Sequence, residues 1–366
     1  MRRTIIAIMA CLFSLSGFLP SVYSLPWPPE MDLIYIKFNY NSSSYSYDAL
    51  TIKKNNSTGV QVPEWYPAYN RNEPMAYIKS QSDRFIEARF WIDRTGFNYA
   101  GIYADMSGSG IGDVPEQSVN FNDTQYATQT LECSGSVPNS VGIRSFSWNW
   151  YVTYIDEVEF EEPIWIAESG EHEYYTVLDE PQAPMSVPWT DVLDYSCDWA
   201  SGQSSEANVV KKITEGIYNM GDIDGDIDYD YSSYYCTDYD KLKLGSFLDD
   251  ITSKNNVKVN CTDCGNLVDV FTAAVGSQSH SKRIWSGIKT KEIDPIGSIF
   301  GWRIVYWSYH QYGWINNLVD DSSLRVDRYG TPRVPTNMSQ SDYNYFLIDG
   351  NPPANSQVYT TQIVEQ

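Results

Sequence analysis

The sequence predicts an α+β protein: an N-terminal antiparallel β-sandwich, then an α+β domain with helices packed on an antiparallel sheet. Three observations predict it. Aromatic and β-branched runs with strand-like alternation fill residues 30–180. Beyond a proline-rich stretch the apolar spacing changes to three and four residues, and from Trp302 strand-like alternation returns. Strands, helices and strands segregated along a chain indicate an α+β arrangement, whereas βαβα alternation would indicate a parallel sheet.

The elements follow in order. Met1-Arg2-Arg3, the apolar run TIIAIMACLFSLSGFL and then SVYS have the three-part layout of a secretory signal peptide over residues 1–24. The expected location is therefore secreted or cell surface, and no later run is long enough to span a bilayer. AYIKSQ, RFIEARFWID, FNYAGIYADM and SFSWNWYVTYI read as strands separated by Gly, Asn, Pro and Ser. In the last of these, Phe146, Trp148, Trp150, Val152 and Tyr154 fall on one face at period two. Residues 25–183 are assigned to an immunoglobulin-like sandwich. DEPQAPMSVP, Asp179 to Pro188, resists both helix and strand and marks the boundary. Trp189 to Gly202, Glu206 to Gly221, a short segment around KLKLGSFLDDITS, and Val259 to Gly276 read as helices. The second domain is placed at 184–350, with 351–366 as a C-terminal tail. There is no internal repeat.

The chain has 366 residues and a formal charge of −22, which becomes −24 once Arg2 and Arg3 leave with the signal. So acidic a surface argues against nucleic acid and against anionic membranes. With 29 Tyr and 12 Trp, aromatic strands are the plain reading and glycan stacking the sharper one. Of six cysteines five follow the signal, an odd number in an oxidising compartment. That parity hints at a thiol kept reduced for use. Cys197 and Cys236 are the candidate disulfide, which would leave Cys133, Cys261 and Cys264 free.

Cys261 and Cys264 open the stretch VNCTDCGNLVDVFTAAVG. Zinc wants two spaced pairs of ligands, so a site of Cys197, Cys236, Cys261 and Cys264 is the weaker reading. A thioredoxin-type pair lacks its βαβ context. Asn260 is a good N-cap and Asp263 suits the first turn. Cys261 then takes the first helical position, activated by the positive end of the macrodipole. Cys264, Val268, Phe271 and Val275 form an inward stripe, so Cys264 reads as core.

An activated thiol needs a base and an orienting group. His280 lies on a polar Ser-rich loop and His172 in the first domain. His310 lies in IVYWSYHQYGWINNLVDDSSLRVD, which reads as a hairpin turning at Asn316-Asn317, since Asn tolerates positive φ. Ile315 then faces Leu318, Tyr312 faces Asp321 and His310 faces Ser323. Asp321 becomes the diagonal neighbour of His310 on one face, and Asp320 points to the other. A three- or five-residue loop would reverse that choice.

NCTDCGNLVDVFTAAVG, then SYHQYGW, then VDDSSLRVD resemble the transglutaminase-like superfamily, closest to exported bacterial proteins that join a β-sandwich to such a domain. PWTDVLDYSCDWASG is similar to the family's first helix, and the resemblance covers about Pro184 to Val334. It implies a papain/transglutaminase-like α+β fold with Cys261 as nucleophile, His310 as base and Asp321 as orienting acid. Ser322-Ser323 departs from the family's Ala-Cys, and the His-to-Asp connection is short for the family. The implied function is a secreted cysteine-dependent acyl-transfer enzyme acting on amide or peptide bonds through a thioester, as a peptidase, amidase or transglutaminase. Its substrate would be a protein, peptide or cell-wall-type amide. The alternative is a non-catalytic surface binding module that uses the aromatic sandwich and an inactive transglutaminase-like scaffold.

No cofactor is expected. GDIDGDIDYDY sets Asp222, Asp224, Asp226, Asp228 and Asp230 at alternate positions, like the start of a calcium loop. Ile227 stands at that loop's Gly position and Ser233 at its Glu position, which favours a solvated acidic loop.

Overall fold

The computed structural model describes residues 28–38, 49–55, 60–61, 63–82, 84–222, 227–232, 234–255, 257–298 and 301–364. The expected signal peptide lies outside them, as do Asp224 and Asp226 of the acidic loop. The described chain is sheet-rich, with several antiparallel sheets and five α-helices.

Two five-stranded sheets dominate the first half. One runs in the order Tyr126–Cys133, Arg84–Ile92, Met31–Lys37, Glu64–Tyr66, Arg71–Asn72. The other runs Met75–Ile78, Val158–Val177, Gly142–Ile155, Tyr99–Gly108, Val114–Asn120. Alternation explains their pairing. Ile86, Ala88, Phe90 and Ile92 turn inward from the first sheet and meet Trp148, Trp150, Ile102 and Ala104 of the second in one buried cluster. Each large side chain buried there contributes about 1.5–3 kcal/mol. The expected face of Gly142–Ile155 holds through Val152. The register then shifts between Val152 and Tyr154, and Ile155 takes the buried place expected of Tyr154.

Helices α1 (Thr190–Trp199), α2 (Glu206–Asp222), α3 (Leu244–Thr252) and α4 (Cys261–Ala274) arise where the apolar spacing changes. Their core includes Val192, Val209, Ile213, Leu267 and Phe271, and it also takes in Tyr175, Val177 and Leu178 from the long strand. The cluster thus crosses the proline-rich stretch, and the Tyr175 hydroxyl donates to Asp194 at 2.6 Å. No helix among the described residues is long and apolar enough to cross a membrane.

Helix α4 is buried along its whole length. It lies on a four-stranded antiparallel sheet ordered Leu318–Asp320, Tyr306–Ile315, Ser279–Lys289, Asn355–Tyr359. Two glycines permit the close approach: a Cβ on Gly265 would stand 3.0 Å from the Tyr312 nitrogen, and one on Gly313 would stand 2.5 Å from Val268 Cγ1. Residues read as a tail supply two strands, Asn355–Tyr359 and Gln362–Ile363, which pair within this half. A fifth helix, α5 (Gln340–Leu347), follows the N-cap Ser339 where the sequence pattern predicts strand. Cys133, Cys197, Cys236, Cys261 and Cys264 are all free, so the expected Cys197–Cys236 bond is not formed. The Cys197 thiol instead donates to the Thr176 carbonyl, and the Cys236 sulfur accepts from Asn266.

Candidate active site

Helix α4 begins at a reciprocal cap. The Asn260 side chain accepts from the N–H groups of Thr262 (2.8 Å) and Asp263 (3.2 Å), while the Asp263 carboxylate accepts from the Asn260 N–H at 3.0 Å. Asp263 also accepts from the N–H groups of Tyr235 and Cys236, pinning that loop to the helix start. Burial pushes its carboxyl up and these hydrogen bonds oppose the rise. The cap places Cys261 at the first helical position, 4% exposed.

The hairpin turns at Asn316 and Asn317, both at positive φ (52° and 64°). Ile315 faces Leu318 and Gly313 faces Asp320, as a two-residue turn requires. The ladder ends there. The expected pairs Tyr312–Asp321 and His310–Ser323 do not form, because the Asp321 N–H goes to the Pro335 carbonyl at 2.8 Å. Asp320 faces away and accepts from the Asn337 N–H at 2.8 Å. Asp321, released from the ladder, reaches His310: Nε2 to Oδ2 is 2.8 Å, with both side chains at most 1% exposed.

The Asp321 carboxylate is held at both oxygens. Oδ2 also accepts from the Tyr343 hydroxyl at 2.5 Å, and Oδ1 accepts from the Ser323 hydroxyl (2.6 Å) and N–H (2.9 Å). Burial works against the anion, but the His310 charge and these hydrogen bonds prevail and lower its pKa. Trp307 stacks on the imidazole at 4.4 Å and 6°. Among the described residues His310 Nδ1 has no hydrogen-bond partner. Nε2 is taken by Asp321 and Tyr343, which leaves Nδ1 for a further partner. Burial alone would lower the His310 pKa; Asp321 and then Cys261 outweigh it and raise it to about 9.

The other candidates stand apart. His172 is buried among Phe38, Phe146 and Trp148, and burial lowers its pKa to about 3. His280 contacts Thr360 at 3.2 Å. Cys264 is core, its thiol pushed well up by burial. Among the described residues no three His, Cys, Asp or Glu side chains converge as a metal would require.

No protein-family model and no curated protein matches this sequence. Among solved structures, red sea bream transglutaminase aligns with a TM-score of 0.38 and 10% identity, over 73% of this chain and 52% of that one. The chain thus spans about half the length of that protein. So faint a likeness carries nothing about chemistry, for which the geometry has to speak.

Sequence reasoning missed Tyr343, Ser323 and Trp307. The Ser residues after Asp321 read as a departure from a family pattern, yet Ser323 anchors the carboxylate. Trp307 sits three residues before His310 on the same strand, a signal too weak alone to show ring stacking. Tyr343 arrives on α5, and nothing in the spacing ties it to the hairpin.

Proposed function

We propose that this chain is a secreted cysteine-dependent acyl-transfer enzyme on a transglutaminase-like scaffold, with Cys261 as nucleophile, His310 as base and Asp321 as orienting acid. One observation carries the reading: the buried His310 imidazole has Nε2 bonded to Asp321 at 2.8 Å and lies near enough to the Cys261 thiol, at the start of α4, for the two to interact. A fully buried carboxylate–imidazole pair is costly unless further hydrogen bonds satisfy it, as those from Ser323 and Tyr343 do here.

In this mechanism His310 takes the Cys261 proton, and its raised pKa lets it hold that proton. The thiolate attacks the amide carbonyl and the C=O electrons move to oxygen, where the Cys261 N–H is a candidate donor. Collapse breaks the C–N bond, His310 protonates the departing amine, and a thioester remains. Water, deprotonated by His310, then attacks the thioester, releasing the carboxylic acid and restoring the thiol. An amine attacking in place of water gives transamidation. Asp321 keeps the proton-bearing Nε2 fixed so that Nδ1 stays with the sulfur.

The first half, 25–183, would be a sandwich domain presented outside the cell with the catalytic half, which starts at 184 and includes the strands Asn355–Tyr359 and Gln362–Ile363. The test is intact-mass detection of an acyl adduct on Cys261 with amide or activated-ester substrates. Wild type should accumulate a thioester that Cys261→Ala lacks and His310→Ala forms far more slowly. A protein that forms no adduct and whose Cys261 alkylates like a free thiol in both backgrounds would leave the non-catalytic binding module as the better account.

A further inference from the structure

One strand residue from the His310 pairing partner Ile284 lies Arg283, 5% exposed. Its guanidinium carbon stands 3.5 Å from the Tyr309 ring centre and 3.7 Å from that of Tyr239. Among the described residues Nε has no hydrogen-bond partner and no carboxylate pairs with the group. A buried guanidinium normally finds an anion, because leaving water uncompensated costs several kcal/mol. Two ring faces return only about 0.5–2 kcal/mol each.

Arg283 opens into a pocket of about 430 Å³ lined by Tyr239, Trp285, Tyr309, Gln357 and Tyr359. The wall is built in advance. The Tyr239 carbonyl accepts from both Gln311 (2.8 Å) and Asn266 (3.0 Å), amides that also reach α4 and the sheet. Its wall residue Tyr309 meets the residue that follows the proposed nucleophile: the Thr262 hydroxyl donates to the Tyr309 hydroxyl at 3.5 Å. The net charge of −22 repels anions at range. An anion that binds here is therefore selected at contact, where the planar fork pairs two oxygens at once.

We infer that Arg283 is a specificity residue that binds a carboxylate of the amide substrate, carried one residue or so from the bond that Cys261 attacks. This rests on the acyl-transfer reading above, and it names the substrate class as acidic or carboxyl-terminal peptides and amides.

Calorimetry on Cys261→Ala protein separates the two ideas, since binding needs no chemistry. The ligands are N-acetyl-glycyl-glycine, with a terminal carboxylate, N-acetyl-glutamic α-amide, with a side-chain carboxylate, and neutral N-acetyl-glycyl-glycinamide. At least one carboxylate ligand should bind about tenfold or more tighter than the neutral one, as a bidentate charged contact implies. Whichever carboxylate wins identifies its source. Arg283→Met should erase the preference and Arg283→Lys should keep part of it. In the intact thiol protein, bromoacetyl-glycine should alkylate Cys261 faster than bromoacetyl-glycinamide, and the ratio should fall in Arg283→Gln. Equal or undetectable binding of all three ligands, or a preference that survives in both Met and Gln variants, overturns the inference. A missing thioester with carboxylate binding intact overturns only the acyl-transfer reading.

Discussion

The Tyr343 hydroxyl donates to Asp321 Oδ2 at 2.5 Å, across 22 residues of chain. The same hydroxyl lies 3.0 Å from His310 Nε2, so one tyrosine from α5 braces both members of the pair. Its hydroxyl pKa is itself pushed well up, by burial first and then by the Asp321 charge, which keeps it a donor.

Tyr343→Phe removes that donor and keeps the ring. Losing a hydrogen bond to a charged group costs about 1.5–3 kcal/mol, or roughly ten- to a hundredfold in rate if the loss falls on the transition state. Turnover, or Cys261 alkylation at pH 7, should fall by that order while KM stays near its original value. A variant with unchanged rate and a shifted KM would mean that Tyr343 serves substrate and not Asp321.

The two adjacent aspartates should separate cleanly. Asp321→Asn should lower activity by on the order of a thousandfold or more through loss of tautomer control. Asp320→Asn should leave activity nearly intact and change stability instead. Burial first, then Asp321, raises the Asp320 pKa from 3.8 to about 7. The folded state therefore binds the proton more tightly than the unfolded chain, and stability is lost as pH rises from about 4 through 7. Urea unfolding should show a decline of about 2–4 kcal/mol over that range that Asp320→Asn largely abolishes. The same slope in both proteins would refute the assignment.

His310 has the same sign with a different window. Its pKa is raised from 6.5 to about 9, so its contribution to stability is whole below about pH 6.5 and is lost as pH climbs through 9. Because the protonated ring supplies the leaving amine, activity should show an alkaline limb near pH 9. Asp321→Asn should move any residual limb downward. An imidazole that titrates below pH 7 by NMR would contradict both.

Gly313 tests the seat of the histidine strand. A methyl there would lie 2.5 Å from Val268 Cγ1 and 2.8 Å from the Asp320 carbonyl. Gly313→Ala should destabilise by about 1–3 kcal/mol and slow Cys261 disproportionately, since the strand carrying His310 is pushed off α4. Thermal unfolding together with the alkylation rate measures it. A gain in stability would show that the site has slack.

Local chemistry made much of this readable. The Asn260–Asp263 cap is complete within four residues, so Cys261 at a helix start follows from a reciprocal exchange between two side chains and the adjoining backbone. The Asn316-Asn317 turn is equally local, and its register sets Asp320 opposite Gly313. The helix at 340–347 was less accessible. Its Ser339 cap is ordinary, but its aromatic residues resemble a strand in composition.

What the sequence by itself determined was the position of the thiol and the face of the histidine, because both follow from interactions a few residues long. What only the tertiary structure decided was the company they keep. Tyr343 reaches Asp321 from α5, and Ser323 reaches it because the chain leaves the ladder for Pro335. Tyr239 and Tyr309 close on Arg283 from segments 70 residues apart. Such contacts are chosen by how helix and sheet pack, with Gly265 and Gly313 setting the distance, and no periodicity in one segment records where another will lie against it.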